Sequence, residues 1–380
     1  MRNGDFGDKF SGKAGGEGLA GHEARKISVA NDDGKVIIPT RYGFRSFDRQ
    51  WLIPDSRLVN QPNPTIWAGH SSRQIYLTAL MGHAPTSGPA LTFTALVPDL
   101  HHYKGSFGGR VFPLWADAAG MSPNIRPSIL SHLSQAYESD ITAQDVMAYI
   151  AAIAAHPAYL ARFSEDLVQP GLRIPLTADP SLFDEAAVLG REVIYLHTFG
   201  ERFVATEDGR PAGPPRLPES ERPLIPAGGS IPSAPEAMPD EMGYDQVKRR
   251  LLVGAGYIDN VAPEVWAYEV SGTPVLSHWF SYRRRDRSRP IMGDRRPPSP
   301  LGDIQPDGWL AEYTTELINV LNVLGRLTKL EPKLAELLER ICAGPTINGE
   351  DLKETALNSP AEKQPPKTAR RRTAKQIELL

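Results

Sequence analysis

Thr142-Ala-Gln-Asp-Val-Met-Ala-Tyr-Ile-Ala-Ala-Ile153 is the stretch on which the fold class turns. Thr142 with Asp145 three residues on is a capping-box pattern, in which hydroxyl and carboxylate each satisfy a backbone N–H that a helix start leaves open. Val146, Ile150 and Ile153 follow at helical spacing, and Pro157 ends the pattern. Upstream the texture is different. Lys35-Val-Ile-Ile-Pro39, Gln74-Ile-Tyr-Leu-Thr-Ala79 and Leu91-Thr-Phe-Thr-Ala-Leu-Val97 are short runs of branched and aromatic residues between Gly/Pro breaks, which read as strands.

Downstream, Val193-Ile-Tyr-Leu-His197 reads as a return to strand, and Leu251-Leu-Val253 with Tyr257-Ile258 around Gly254-Ala-Gly256 reads as a hairpin. Leu317, Val320, Leu321 and Leu324 mark one closing helix. Leu334, Leu337, Leu338 and Ile341 mark a second, with Pro332 near its start and Gly344-Pro345 past its end. Residues 208–240 are Pro/Gly-rich and without period, a long loop. Strands first, a helical middle and a helical end predict an α+β fold rather than alternating β-α units. Its sheets should be mixed and largely antiparallel, with packed helices and long Pro/Gly-rich loops. Residues 1–34 lack apolar period and read as disordered or a junction remnant. Residues 35–345 form the domain, and 346–380 are a basic, disordered tail.

With 380 residues there is ample chain for a core, and the 33 Gly and 35 Pro favour turns and irregular connections. The formal net charge of −3 gives no global attraction to nucleic acid, so any such contact needs a local basic patch. A lone cysteine, Cys342, excludes an intramolecular disulfide and a cysteine-built zinc site. The polar, glycine-rich start has no secretion-signal core. The longest apolar stretch, residues 148–155, is far short of the roughly 20 residues of a membrane span. A cytoplasmic protein with no membrane partner is expected.

Familiar catalytic signatures are missing. Gly7 to Gly12-Lys13 approaches a phosphate-binding loop, but Ala14 stands where a magnesium-binding hydroxyl belongs and no strand precedes it. There is no dinucleotide fingerprint, no nucleophile elbow and no Asn/Asp-Pro-Pro-Tyr/Phe tetrapeptide. Asp99, His101 and His102 are the best metal-ligand cluster, yet adjacent histidines on a strand face opposite ways. No catalytic residue, metal ligand or cofactor site is assigned to this chain.

The strongest charge feature is Tyr282-Arg-Arg-Arg285, with Arg283, Arg284 and Arg285 continued by Arg287, Arg289, Arg295 and Arg296. Pro290, Pro297, Pro298 and Pro300 bar a continuous helix, so a loop bearing guanidinium groups is expected. Guanidinium suits phosphate neutralisation and two-pronged reading of guanine edges. The competing reading is a solvated run, or salt bridges to neighbouring carboxylates. Tyr103-Lys104-Gly-Ser-Phe-Gly-Gly-Arg110 is a second candidate: its glycines permit close backbone approach, while Lys104, Ser106 and Arg110 suit phosphate oxygens and Tyr103 offers a ring. A plain turn explains the glycines equally well. Arg45, Asp48 and Arg49 around Phe47 could pair with one another or touch DNA, and the tryptophans suit the core better than base stacking.

Tyr42-Gly-Phe-Arg-Ser-Phe-Asp-Arg-Gln-Trp-Leu-Ile53 resembles the opening of the C-terminal specificity domain of type ISP restriction–modification enzymes. Residues 142–153, then His156-Pro-Ala-Tyr159, Arg162-Phe163, Leu172-Arg-Ile-Pro-Leu176, Phe183, Leu189-Gly190 to Leu196-His197, and Val265-Trp-Ala-Tyr-Glu-Val-Ser-Gly-Thr-Pro-Val-Leu-Ser-His-Trp279 follow in that family's order. The resemblance implies a module that reads a short asymmetric site in double-stranded DNA and positions an N6-adenine methyltransferase domain or subunit there. S-adenosylmethionine would then belong to that partner. Two other readings stay open: a self-contained metal-dependent nuclease around Asp99, His101 and His102, and an inert truncated remnant.

Overall fold

The computed structural model describes residues 18–284, 306–349 and Leu352, apart from 24–26, 28–30, 35–36, 60–61 and the single positions 81, 107 and 170. The architecture is α+β, with small antiparallel sheets set against helices. A hairpin opens it, β1 (Thr40–Arg45) against β2 (Asp48–Leu52), with an irregular register between Gly43 and Arg45. After a one-turn helix α1 (Pro64–Ala68) comes a three-stranded sheet in the order β4-β3-β5, made of β3 (Tyr76–Ala79), β4 (Leu91–Thr94) and β5 (Arg110–Pro113). Both faces of β3 are covered, because side chains alternate across a strand. Leu77 joins the main core, while Tyr76 points into a smaller one with Leu19, Trp67 and Val97. Leu19 is buried there, and Asp32 pairs with Arg57, so packed chain reaches upstream of the expected boundary at residue 34.

The helical layer follows. It comprises α2 (Pro127–Tyr137), α3 (Ala143–Ala154), α4 (Pro157–Arg162) and α5 (Pro180–His197). The expected capping box at Thr142 is present in both directions. α3 and α5 lie side by side at close range: a Cβ on Gly190 would overlap the backbone carbonyl of Ala148. Arg191 of α5 pairs with Asp145 of α3 along the same seam. The strand expected at Val193–His197 is instead the last turn and a half of α5. Phe183, Ala186, Ala187, Gly190, Val193 and Ile194 are buried at helical spacing, and a short apolar run cannot by itself separate a strand from a buried helix.

Residues 208–240 carry only short 3-10 turns, as the composition predicts, yet they are strapped down. Arg216 donates to Asn319 Oδ1 at 2.6 Å and the Leu217 amide to Asn322 Oδ1 at 2.8 Å. The sequence then forms a meander of β6 (Met242–Asp245), β7 (Arg250–Val253) and β8 (Gly256–Ile258), which contains the expected hairpin. Next come α6 (Pro263–Trp266), the small ladder β9 (Glu269–Val270) with β10 (Thr273–Pro274), and α7 (Val275–Ser281).

The two closing helices prove to be one, α8 (Ala311–Ala343), with Pro332 inside it. Proline costs an interior hydrogen bond. Here Pro332 sits on the exposed side, while Leu324, Leu327, Leu330, Leu334, Leu337, Leu338 and Ile341 bury a continuous stripe across it. That burial outweighs the local penalty, at roughly 1.5–3 kcal/mol for each large side chain. α8 runs through the main core against α4, α5 and α6.

Candidate nucleic-acid interface

The turn between β1 and β2 organises the site. Phe47 lies in the left-handed region, φ 63°, which a bulky residue adopts only where packing imposes it. Its buried ring meets His197 edge-on at 4.9 Å and Tyr268 at 5.8 Å. The buried Ser46 hydroxyl lies 2.9 Å from both Thr92 Oγ1 and the Tyr103 carbonyl. Fixed in this way, the turn sends its charged side chains to four other segments.

Arg45 donates to Asp99 Oδ1 at 2.7 Å, and its guanidinium lies 3.8 Å from the Phe44 ring centroid and 5.9 Å from that of Tyr282. Asp48 accepts from Arg283, at 2.5 Å on Oδ1 and 3.2 Å on Oδ2. Arg49 grips Glu316 of α8 with two nitrogens, reaches Glu201 at 3.3 Å and covers the Phe199 ring at 3.9 Å. Arg41 binds the same Glu316 at 2.8 Å and Glu312 at 3.0 Å, and lies 4.8 Å from the ring centroid of Trp51. Trp51 is 57% exposed and donates its indole N–H to Glu312.

Beside this turn lie the segment from Asp99 to Arg110 and the end of α7. Arg45, Tyr103, Lys104, Thr273, Val275 and His278 line one narrow cleft. Gly105, at φ 92°, is packed so closely that a Cβ would come 2.8 Å from His278 Cε1 and 3.6 Å from Arg45 Nε. His278 Nε2 is 3.2 Å from the Tyr282 hydroxyl, and Tyr282 meets Phe44 edge-on at 4.7 Å. Burial, and then the charge of Arg45, holds the His278 ring below the usual histidine range, which keeps it neutral at physiological pH. The structure therefore brings together three segments that the sequence keeps far apart: the β1–β2 turn, the loop after β4 and the chain leaving α7.

Several expected contact residues occupy different positions from those the sequence suggests. Arg283 is 4% exposed and its charge is neutralised by Asp48, itself 2% exposed. Arg283 also donates to the Trp279 carbonyl at 2.8 Å and lies 3.8 Å from that residue's ring centroid. It takes the salt-bridge alternative rather than offering a groove-reading group. Tyr103 is a core residue whose hydroxyl donates to the Pro89 carbonyl at 2.6 Å. Arg45 and Arg49 are largely covered and held by carboxylates. Lys104 and Arg284 are partly exposed, and Ser106 and Arg110 are exposed, the last at the start of edge strand β5. Arg285, Arg287, Arg289, Arg295 and Arg296, and the basic tail from 353 on, lie outside the described residues.

The metal cluster does not assemble. Asp99 is held by Arg45, the His101 ring accepts from the Gly108 amide at 3.0 Å, and His102 Nδ1 sits 2.9 Å from Thr78 Oγ1. Burial pushes His102 down to about 3. Among the described residues no three His, Cys, Asp or Glu side chains come together to hold a metal ion. Sequence reasoning missed Glu316, Trp51 and His278: Glu316 and Trp51 pair across long separations, and His278, beyond its neighbour Tyr282, meets Gly105 only in the fold. Among the described residues, no helix is long and apolar enough to cross a membrane.

Solved structures share this architecture. The DrdV–DNA complex, determined by cryo-electron microscopy, superposes with a TM-score of 0.54 at 18% identity, over 81% of this chain and 28% of that one. LlaBIII, an ATP-dependent type ISP restriction–modification enzyme bound to DNA, gives a TM-score of 0.51 at 14% identity, over 82% of this chain and 19% of that one. At such identities the likeness is one of fold, and this chain spans under a third of the length of either. Comparison with curated proteins finds no match. The family model for the type ISP C-terminal specificity domain matches residues 20–318, which cover the β1–β2 turn, the cleft and the first turns of α8, and the chain belongs to that family.

Proposed function

We propose that this chain reads a DNA duplex for a type ISP restriction–modification system and places a methyltransferase domain or subunit on the target adenine. The observation that carries the reading is the convergence of Arg45, Lys104, His278 and Tyr282 where the turn, the loop and the end of α7 meet, with Arg284 following Tyr282 in the chain by two residues. Family membership supports it, as do the DNA-bound states of both structural neighbours. A rigid frame of buried ion pairs with a few polar and cationic tips suits recognition, since phosphate contacts fix register while base-edge contacts carry sequence. Arg284, Lys104, Ser106 and Arg110 are the proposed contacts among the described residues, and the arginine-rich sequence from Arg285 to Arg296 would extend them. The methyltransferase partner would hold S-adenosylmethionine, and the assembly would work in the cytoplasm.

The test is duplex binding followed by fluorescence anisotropy across about 50 to 200 mM salt. Affinity should fall steeply over that range, and Lys104→Ala or Arg284→Ala should each lower the slope by about one counterion. Absent or salt-independent binding, with a partner methyltransferase added, would sink the proposal.

A further inference from the structure

We infer that Asp48 is a positioning residue for DNA sequence discrimination, acting through Arg283 to fix the chain that leaves α7 against the β1–β2 turn. This rests on the DNA-reading function proposed above. The pair is one of the most enclosed ionic contacts in the molecule, with both side chains at most 5% exposed. It joins residues 235 apart in sequence. Arg283 is flanked by Tyr282 and Arg284, and all three follow the last turn of α7. Anchoring Arg283 therefore sets the direction in which the backbone leaves that helix. The turn is itself over-determined by the left-handed Phe47 and the Ser46 bonds, so Asp48 is a fixed point rather than a mobile acid. Arg45, from the same turn, lies near the Tyr282 ring, so displacing Tyr282 would disturb the cleft as well.

Affinity and discrimination should respond differently. Phosphate neutralisation tolerates an ångström of play, because it depends on the number of charges close to the duplex. Base-edge hydrogen bonds do not, since they need donors held to within about 0.5 Å. Loosening the Asp48–Arg283 anchor should therefore spare general binding and reduce the preference for one sequence.

The experiment takes the full chain, enriches bound duplexes from a pool with a randomised centre, and compares affinity for the enriched duplex with that for a scrambled one. Asp48→Asn should lower this ratio about tenfold, one good base contact's worth, while leaving the scrambled-duplex affinity and its salt slope within about twofold. Asp48→Asn/Arg283→Gln removes both charges, so no buried cation is left unpaired if the single change proves unstable. Arg283→Lys retains the charge but loses the two-pronged grip. Each is assayed below its own melting temperature. A ratio unchanged in any folded variant overturns the inference, as does an equal loss for both duplexes, which would mean that Asp48 only supports the fold. Failure of the unaltered chain to bind any duplex removes the proposed function instead, and the inference with it.

Discussion

Glu331 is a carboxylate in an unfavourable place. Its Oε1 is buried without a hydrogen-bond partner, as is the Tyr268 hydroxyl, and burial raises its pKa to about 7. An acid whose folded pKa lies above its unfolded one keeps its proton longer in the native state. Stability is therefore lost as pH rises from about 4.5 to about 7, and above that range the cost is constant. Glu331→Gln should stabilise the protein at pH 8 by on the order of 3 kcal/mol, with the gain vanishing near pH 4. Urea midpoints at the two pH values measure it, and an equal gain at both would contradict the burial argument. Nothing in the sequence marks this glutamate, which follows Leu330 on a leucine-rich helix. The same holds for the arginines. Arg283 within a basic run and Arg49 beside Asp48 look alike in sequence. Their partners lie 235 and 267 residues away, and only the fold assigns them.

At the scale of elements, a local signal suffices where the contacts it describes are local, and it fails at Ile37–Pro39, which carry no strand. The Thr142 cap and the β7–β8 hairpin depend on neighbours a few residues off, and both form as the pattern says. Elsewhere packing overrides the local cue. Val193 to His197 is β-branched at its start but is buried on every side as the end of α5, and Pro332 sits on the exposed side of a helix whose buried stripe runs past it. Two substitutions separate these classes of information. Thr142→Ala removes one reciprocal cap and should cost about 1 kcal/mol. Gly190→Ala improves helix propensity by up to about 1 kcal/mol. It also forces a methyl group onto the Ala148 carbonyl, so α3 and α5 must part, and the net result should be a loss of roughly 1–3 kcal/mol. Thermal melts of the two variants compare them directly. A neutral or stabilised Gly190→Ala would show that the seam between α3 and α5 has slack.

The whole molecule carries its charge in an uneven way that the net value of −3 conceals. Guanidinium groups at the β1–β2 turn are matched by Asp99, Glu201, Glu312 and Glu316, and the interior holds three histidines as neutral rings. Burial pushes His102 and His197 down to about 3 and His156 to about 4. Unfolded chains take up protons at such sites near pH 6.5, which the native state cannot do, so stability present above about pH 6.5 is lost as pH falls below it. Three such groups act in that direction between about pH 6.5 and 4.5, while Glu331 opposes them as a single group over the same interval. The net uptake on unfolding is about two protons, or roughly 3 kcal/mol of stability lost per pH unit. An ordinary domain has on the order of 5–15 kcal/mol in all. Between pH 6.5 and 5 the loss is about 4 kcal/mol, a large share of that total, so resistance to urea should fall steeply over this interval. Urea midpoints followed by circular dichroism from pH 7 to 5 test the expectation. A urea stability that stays flat from pH 7 to 5 would mean that the buried imidazoles find hydrogen-bond acceptors when they charge.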